Sequence, residues 1–377
     1  MNIRLSRSVV GTAEAAAVTK IITEEGYLGM GAEVQRFEAE LAAYLGVQPA
    51  QVITVNTGTA ALHLAVQAAV PTGSEVLVPS LTFVASFQAI AAAGCVPVPC
   101  DVYANTATID LEDAARRITP RTKAIMPVHY ASNPWHLDAV YAFAARHKLR
   151  VIEDAAHAFG CAHQGHKIGS RGDIVCFSFD GIKNITSGEG GCIVSFDSEV
   201  ARLCSDARLL SVENDTEKRY TGGRSWDFDV HCQGYRYHMS NIMAAIGRVQ
   251  LSRLDAEFAP ARRHLLHVYR TELANVAGLR LLELDSADDI VPHIHPVRVL
   301  HGRKDEVKAR LAEQNIPTGV HYKPNHLLTY FKEMLPQGAP LPVTEQLYAE
   351  LVTLPLHPAV TEQEVRMICA ALRKAVA

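Results

Sequence analysis

The tightest constraint on the fold is a regular alternation of short apolar runs and helical spacing. Val52–Val55, Glu75–Val78, Val96–Cys100, Ala124–Val128 and Val151–Glu153 are the apolar runs. Between them, Ala60–Ala69, Val84–Ala93, Leu111–Ile118 and Leu137–His147 repeat at helical period. Strands buried on both faces read as unbroken Val/Ile runs, and helical crossovers make them parallel. The pattern predicts one large α/β domain on a mainly parallel sheet. Two amphipathic helical stretches precede it. In the second, Val34, Phe37, Leu41, Tyr44 and Leu45 share a face and Gly46 is a stop signal.

Beyond about residue 173 the pattern changes. Asp173–Phe179 and Gly191–Ser195 are strand-like and close together, which predicts an antiparallel pair. Residues 212–236 are polar, rich in Gly, Arg and Asp, and without period; a loop of that length is usually functional or interfacial. Helices are predicted over Ser240–Leu254 and Pro260–Ala274. From about 292 a smaller α/β unit follows: strand Ile294–Val299, helix Lys304–Gln314, strand Thr318–Tyr322 and final helix Glu362–Val376.

Composition narrows the class. Of 377 residues, 48% are hydrophobic and 20% charged, as in ordinary globular proteins. A net charge of -4 provides no basic field for nucleic acid or an anionic membrane. No apolar run approaches the roughly 18 residues of a membrane helix. Met1–Gly11 lacks the apolar stretch of a secretory signal, so a cytoplasmic protein is expected. The eight cysteines form no C-x-x-C pair, and most sit in apolar runs, so they are expected to be buried thiols. The 17 histidines are scattered without H-E-x-x-H, and no metal site is expected.

Four features fall near the ends of predicted strands, where open α/β sheets bind ligands. Asn56-Thr57-Gly58-Thr59-Ala60 sits between a strand and a helix, where free N–H groups form an anion site; Thr57 or Thr59 could also be a plain N-cap. No G-x-G-x-x-G accompanies it, so a phosphate bound there does not belong to a dinucleotide. Glu153-Asp154-Ala155-Ala156-His157 places two acids at a strand's carboxyl end, where a charged carboxylate needs a cation or N–H partner; a helix cap is the alternative for Asp154. Lys183 lies between the apolar run ending at Phe179 and Gly188-Glu189-Gly190-Gly191. In a desolvated pocket a lysine has a lowered pKa, and its neutral amine is a Schiff-base nucleophile; on a surface it is only charge. Gly234-Tyr235-Arg236-Tyr237-His238 leads into a helix and by itself marks only a boundary.

Taken together, these elements resemble the DegT/DnrJ/EryC1/StrS family of sugar aminotransferases, from Gly26-Tyr27-Leu28-Gly29 to the last helix. The most specific pieces are Pro79–Ser86, Glu153–His157, Phe177-Ser178-Phe179 through Lys183-Asn184, and Gly188–Gly191. The resemblance implies a type I aminotransferase fold and pyridoxal 5'-phosphate (PLP) as cofactor. Residues 1–255 would form the large PLP-binding domain with its N-terminal helices, and 256–377 a linker helix and small C-terminal domain. It assigns Lys183 to covalent attachment and proton transfer, Asp154 to the ring nitrogen, and His157 to the ring side near O3′. Phe83 would cover a ring face, and Gly58, Thr59 and Ser178 would hold the phosphate.

Two positions depart from the family pattern. Arg236 stands where many members carry an Asn that reaches the partner subunit's phosphate, and Asp180 where many have His or Tyr. A homodimer with shared sites is implied. Glu189 would serve either the turn or the substrate. Arg219, Arg224, His321, Lys323 and His326 are the candidates to face a sugar diphosphate, with Asp180 beside the transfer chemistry.

The activity implied is transfer of an amino group from L-glutamate to a keto-sugar, specifically C4 of a nucleotide-linked 4-keto-6-deoxyhexose. Such enzymes make amino sugars for lipopolysaccharide, O-antigen or antibiotics. A free keto-sugar acid is an alternative acceptor. A sugar dehydratase of the same family would carry His in place of Lys183, and a regulatory DNA-binding protein would need a basic helix-turn-helix.

Overall fold

The computed structural model describes residues 3–287, 289–334 and 340–377. Twelve strands are formed among them. They are β1 (Val52–Val55), β2 (Glu75–Pro79), β3 (Val96–Cys100), β4 (Thr122–Ile125), β5 (Arg150–Asp154), β6 (Ala162–His163), β7 (His166–Lys167), β8 (Ile174–Ser178), β9 (Gly191–Ser195), β10 (Leu279–Leu281), β11 (His295–Val299) and β12 (Leu351–Leu354). Seven build the main sheet in the order β1-β9-β8-β5-β4-β2-β3, and β6 with β7 makes a small hairpin.

Within the main sheet β2, β3, β4 and β5 are parallel, as the strand–helix alternation predicts, and β8 runs parallel beside β5. β9 pairs antiparallel with both β8 and β1, so it alone is reversed. The carboxyl ends of β1, β2, β4, β5 and β8 therefore share one edge with the start of β9. Alternate residues feed two cores on opposite faces. Val175 and Phe177 of β8 pack on one side with Phe37 and Leu41, while Ile174 and Cys176 pack on the other with Leu64 and Ile90. Helices cover both faces, which is why these strands read as continuous apolar runs. The helix Ala32–Leu45 buries Val34, Phe37, Leu41 and Leu45 of the predicted stripe, with Tyr44 half-buried, and ends on Gly46, whose φ of 74° is the left-handed conformation that suits glycine.

The C-terminal unit has its own sheet, β10-β11-β12, antiparallel throughout. Its core joins Leu265 and Tyr269 of the helix Ala259–Leu273 to Val297, Ile368 and Leu372, and draws in Ile3 from the N-terminus.

Three expectations are corrected. Thr318–Tyr322 is not a strand: Gly319 bridges Thr353 alone, and the chain then turns toward the main sheet. The place beside β11 belongs to β12, which follows directly on the helix Pro342–Glu350. Within 212–236, Asp215–Tyr220 is a short helix, because Asp215 accepts from Arg219 Nε at 2.7 Å and from the Ser225 N–H at 2.8 Å. Seven cysteines are buried, but Cys232 is exposed because it lies in that polar segment. Among the described residues no helix is long and apolar enough to cross a membrane.

Candidate active site

A cavity of about 420 Å³ opens where the strand ends converge, within the usual size of a small-molecule site. Each wall is the continuation of one strand. After β1 comes Thr57-Gly58-Thr59, after β2 Thr82 and Phe83, at the end of β5 Asp154 and beyond it His157, and after β8 Asp180 and Lys183. Glu189, just before β9, and His321 with Tyr322 from the C-terminal unit complete the lining.

The β1 turn is built to present main-chain N–H groups. Thr57 caps the helix Gly58–Ala69, its Oγ1 accepting from Ala60 N at 3.0 Å, while Gly58 and Thr59 have no intrahelical acceptor. Gly58 is required for packing: a Cβ would lie 2.7 Å from Ser178 Cβ and 2.9 Å from its Oγ. This close approach brings the Ser178 hydroxyl beside the helix N-terminus, and the donor set suits a phosphate.

Asp154 is buried at the end of β5. Its Oδ2 accepts from Ser86 Oγ at 2.7 Å and its Oδ1 from Ala156 N at 3.2 Å, and it forms no ion pair among the described residues. A buried carboxylate held by two donors but lacking a cation fits a protonated ring nitrogen. His157 Nε2 lies 3.1 Å from the Tyr322 hydroxyl, and its buried Nδ1 has no partner. Burial, then the charges of Lys183 and His321, lower its pKa well below the ordinary histidine value. Phe83 is 54% exposed, with its ring centroid 5.4 Å from that of Tyr322.

Lys183 is half-buried and its amine faces the same cavity. Burial lowers its pKa to about 8, against the opposing pull of Asp154 and Asp180. Near neutrality a useful fraction of such an amine is unprotonated and nucleophilic. Asp180 serves the turn as well as the cavity, its Oδ1 accepting from Ile182 N at 3.3 Å. Desolvation and the charge of Asp180 raise the Glu189 pKa. The residues present therefore match PLP: an amine, an unpaired carboxylate, an N–H and hydroxyl cradle, and an aromatic cover.

Gly58, Thr59, Phe83, Asp154, His157, Ser178, Asp180, Lys183 and His321 are thus brought together. Five other sequence candidates do not line the cavity of a single chain. Arg219 is tied to Asp215, Arg224 and Arg236 are exposed on the polar segment, and Lys323 is exposed. His326 is held between Ser80 Oγ at 2.7 Å and Glu345 at 3.4 Å. Sequence reasoning did not assign Ser86, Tyr322 or His293. Ser86 and Tyr322 sat unremarked inside recognisable motifs, whereas nothing near His293 in the chain marks it.

Residues 9–373 match the model of the DegT/DnrJ/EryC1/StrS aminotransferase family. The chain is 31% identical to the aminotransferase TlmJ from Streptoalloteichus hindustanus, with a TM-score of 0.91 over 100% of this chain and 99% of that one. It is 29% identical to the sugar aminotransferase CalS13 from Micromonospora echinospora, at TM-score 0.89 and 99% of both chains. Spr1654 from Streptococcus pneumoniae, solved in a PLP-form, is 26% identical at TM-score 0.90, over 100% of this chain and 99% of that one.

Proposed function

The chain belongs to the DegT/DnrJ/EryC1/StrS family and is a PLP-dependent aminotransferase; from that premise we propose that it moves an amino group from L-glutamate to a keto-sugar. The acceptor in this proposal is a nucleotide-linked 4-keto-6-deoxyhexose, aminated at C4. The observation that carries it is the meeting of Lys183 and Asp154 in one cavity also lined by Asp180, Glu189 and His321, groups suited to sugar hydroxyls. Likeness to CalS13, itself a sugar aminotransferase, supports the acceptor class.

Bound PLP supplies an electron sink for the charge left when a proton leaves the substrate carbon. The protein supplies the rest. Asp154, oriented by Ser86 and Ala156 N–H, would hold the ring nitrogen protonated. The N–H groups of Gly58 and Thr59 with Ser178 Oγ would bind the phosphate, Phe83 would cover the ring, and His157 would lie at its side. Lys183 Nζ would take and return the proton in both halves of the reaction, a task suited to an amine whose pKa burial lowers to about 8.

The same proposal includes a cytoplasmic homodimer in which residues 212–236 carry Arg236, Arg219 and Arg224 toward the neighbouring cavity. It divides the chain into a PLP-binding domain, 1–255, and a small C-terminal domain, 256–377. The test is a panel of keto-sugars, free and nucleotide-linked, incubated with glutamate and the purified protein. An aminated C4 product identified by mass and NMR is expected. Turnover of free keto-sugar acids alone would overturn the acceptor and leave the aminotransferase intact.

A further inference from the structure

Lys183 follows β8 and His293 precedes β11, yet Lys183 Nζ lies 3.4 Å from His293 Nε2. The meeting is arranged by a third residue. Arg262, in the helix Ala259–Leu273, is fully buried and donates to Pro292 O at 3.0 Å, to His293 O at 3.4 Å and to Lys183 O at 3.5 Å. One guanidinium thus spans the main chain beneath both side chains. No carboxylate pairs with it among the described residues, and burial alone lowers its pKa to about 10. Burying an unpaired charge is unfavourable. What it secures here is the spacing between Lys183 and His293.

The imidazole is fixed from its other sides too. The His293 main-chain N–H donates to Ser132 Oγ at 2.9 Å, which anchors the backbone, and the imidazole lies 4.5 Å from that of His157. Nδ1 is buried and has no partner, so Nε2 facing the amine is the nitrogen with a role. Burial, then the charge of Lys183, keep this histidine neutral.

We propose that His293 is a positioning residue whose Nε2 lone pair holds the Lys183 amine in place whenever that amine is not attached to the cofactor. A neutral acceptor suits this task. A carboxylate bonded directly to Nζ would favour the ammonium and raise its pKa, whereas imidazole orients the amine at lower cost to the free base. Asp154 and Asp180 attract Lys183 but make no hydrogen bond to Nζ among the described residues. The inference rests on the aminotransferase site and not on the identity of the acceptor.

The test uses the full chain freed of PLP, with Lys183 acylation by acetic anhydride followed against pH by mass spectrometry. The charged and titratable groups facing Lys183 are Asp154, Asp180, His157 and His321, with Arg262 behind, and all remain in the variants. His293→Leu should lower the midpoint by about one unit, because the ammonium loses its acceptor. His293→Asn, which offers a carbonyl oxygen, should restore most of the shift. An unchanged midpoint in His293→Leu, or equal shifts in both variants, would overturn the proposal. If His293→Leu does not fold, the wild-type chain decides by ¹⁵N NMR. His293 Nε2 should be unprotonated and should move as Lys183 titrates, with the movement lost in Lys183→Met; a protonated Nε2 rejects it.

Discussion

Ser86 donates its hydroxyl hydrogen to Asp154 Oδ2 at 2.7 Å, and Thr82 Oγ1 stands 2.9 Å behind the same hydroxyl. A residue at the head of the helix Val84–Ala92 therefore orients the carboxylate at the end of β5. Ser86→Ala should weaken PLP binding about tenfold, the worth of one hydrogen bond to a charged group at the lower end of its range. Fluorescence titration of the cofactor-free chain measures it. Asp154→Asn should in addition lower turnover by orders of magnitude, since a neutral amide does not keep the ring nitrogen protonated. Equal affinities for wild type and Ser86→Ala would remove Ser86 from the site.

Lys183 links the site to pH. In the folded chain its pKa is lowered from 10.5 to about 8 by burial. Between those values the unfolded chain binds the extra proton, so this group makes the cofactor-free protein more stable as pH rises from about 8 to 10.5. Lys183→Met should therefore melt higher than wild type at pH 7, and the difference should vanish above about pH 10.5. It should also abolish turnover and covalent attachment of PLP, whereas Lys148→Ala, on the surface, should change none of these. Thermal melts at both pH values check the sign.

Gly58→Ala places a methyl group 2.7 Å from Ser178 Cβ. Overpacking of this kind costs about 1–3 kcal/mol, read as a lower urea midpoint at unchanged m-value. The displaced turn should also lose phosphate affinity, so weakened PLP binding is expected together with the stability loss. A stability loss with full PLP affinity would show that the turn is structural only.

Asp180→Asn keeps an acceptor for Ile182 N but loses the charge at the cavity wall. It should slow transfer to the keto-sugar more than the half-reaction with glutamate, measured separately by stopped-flow absorbance. Equal losses in both halves would assign Asp180 to holding the loop of Lys183.

Arg236 is exposed, and its carbonyl accepts from Asn56 Nδ2 at 3.4 Å beside the β1 turn. If its side chain serves a neighbouring subunit, Lys183→Ala and Arg236→Ala, each inactive alone, should regain partial activity when mixed and re-associated. No recovery, or an active monomer in sedimentation, would end the shared-site proposal.

The amino-acid sequence by itself determined the parallel strands, the covering helices and the motifs around Lys183 and Asp154. These are local properties: burial on both faces writes Val/Ile runs, and helical spacing writes its own period. The reversal of β9, seen only as an antiparallel pair, also fits the short gap between Phe179 and Gly191. The tertiary structure alone decided what depends on contacts between distant segments. Gly319 found a single bridge to Thr353 of β12 and not a ladder. His326 turned to Ser80 and Glu345 and away from the cavity. His293 meets Lys183 where a buried Arg262, itself in a third segment, bonds the carbonyls of both. No periodicity records such a meeting, since chain folding sets the distance between residues far apart in sequence.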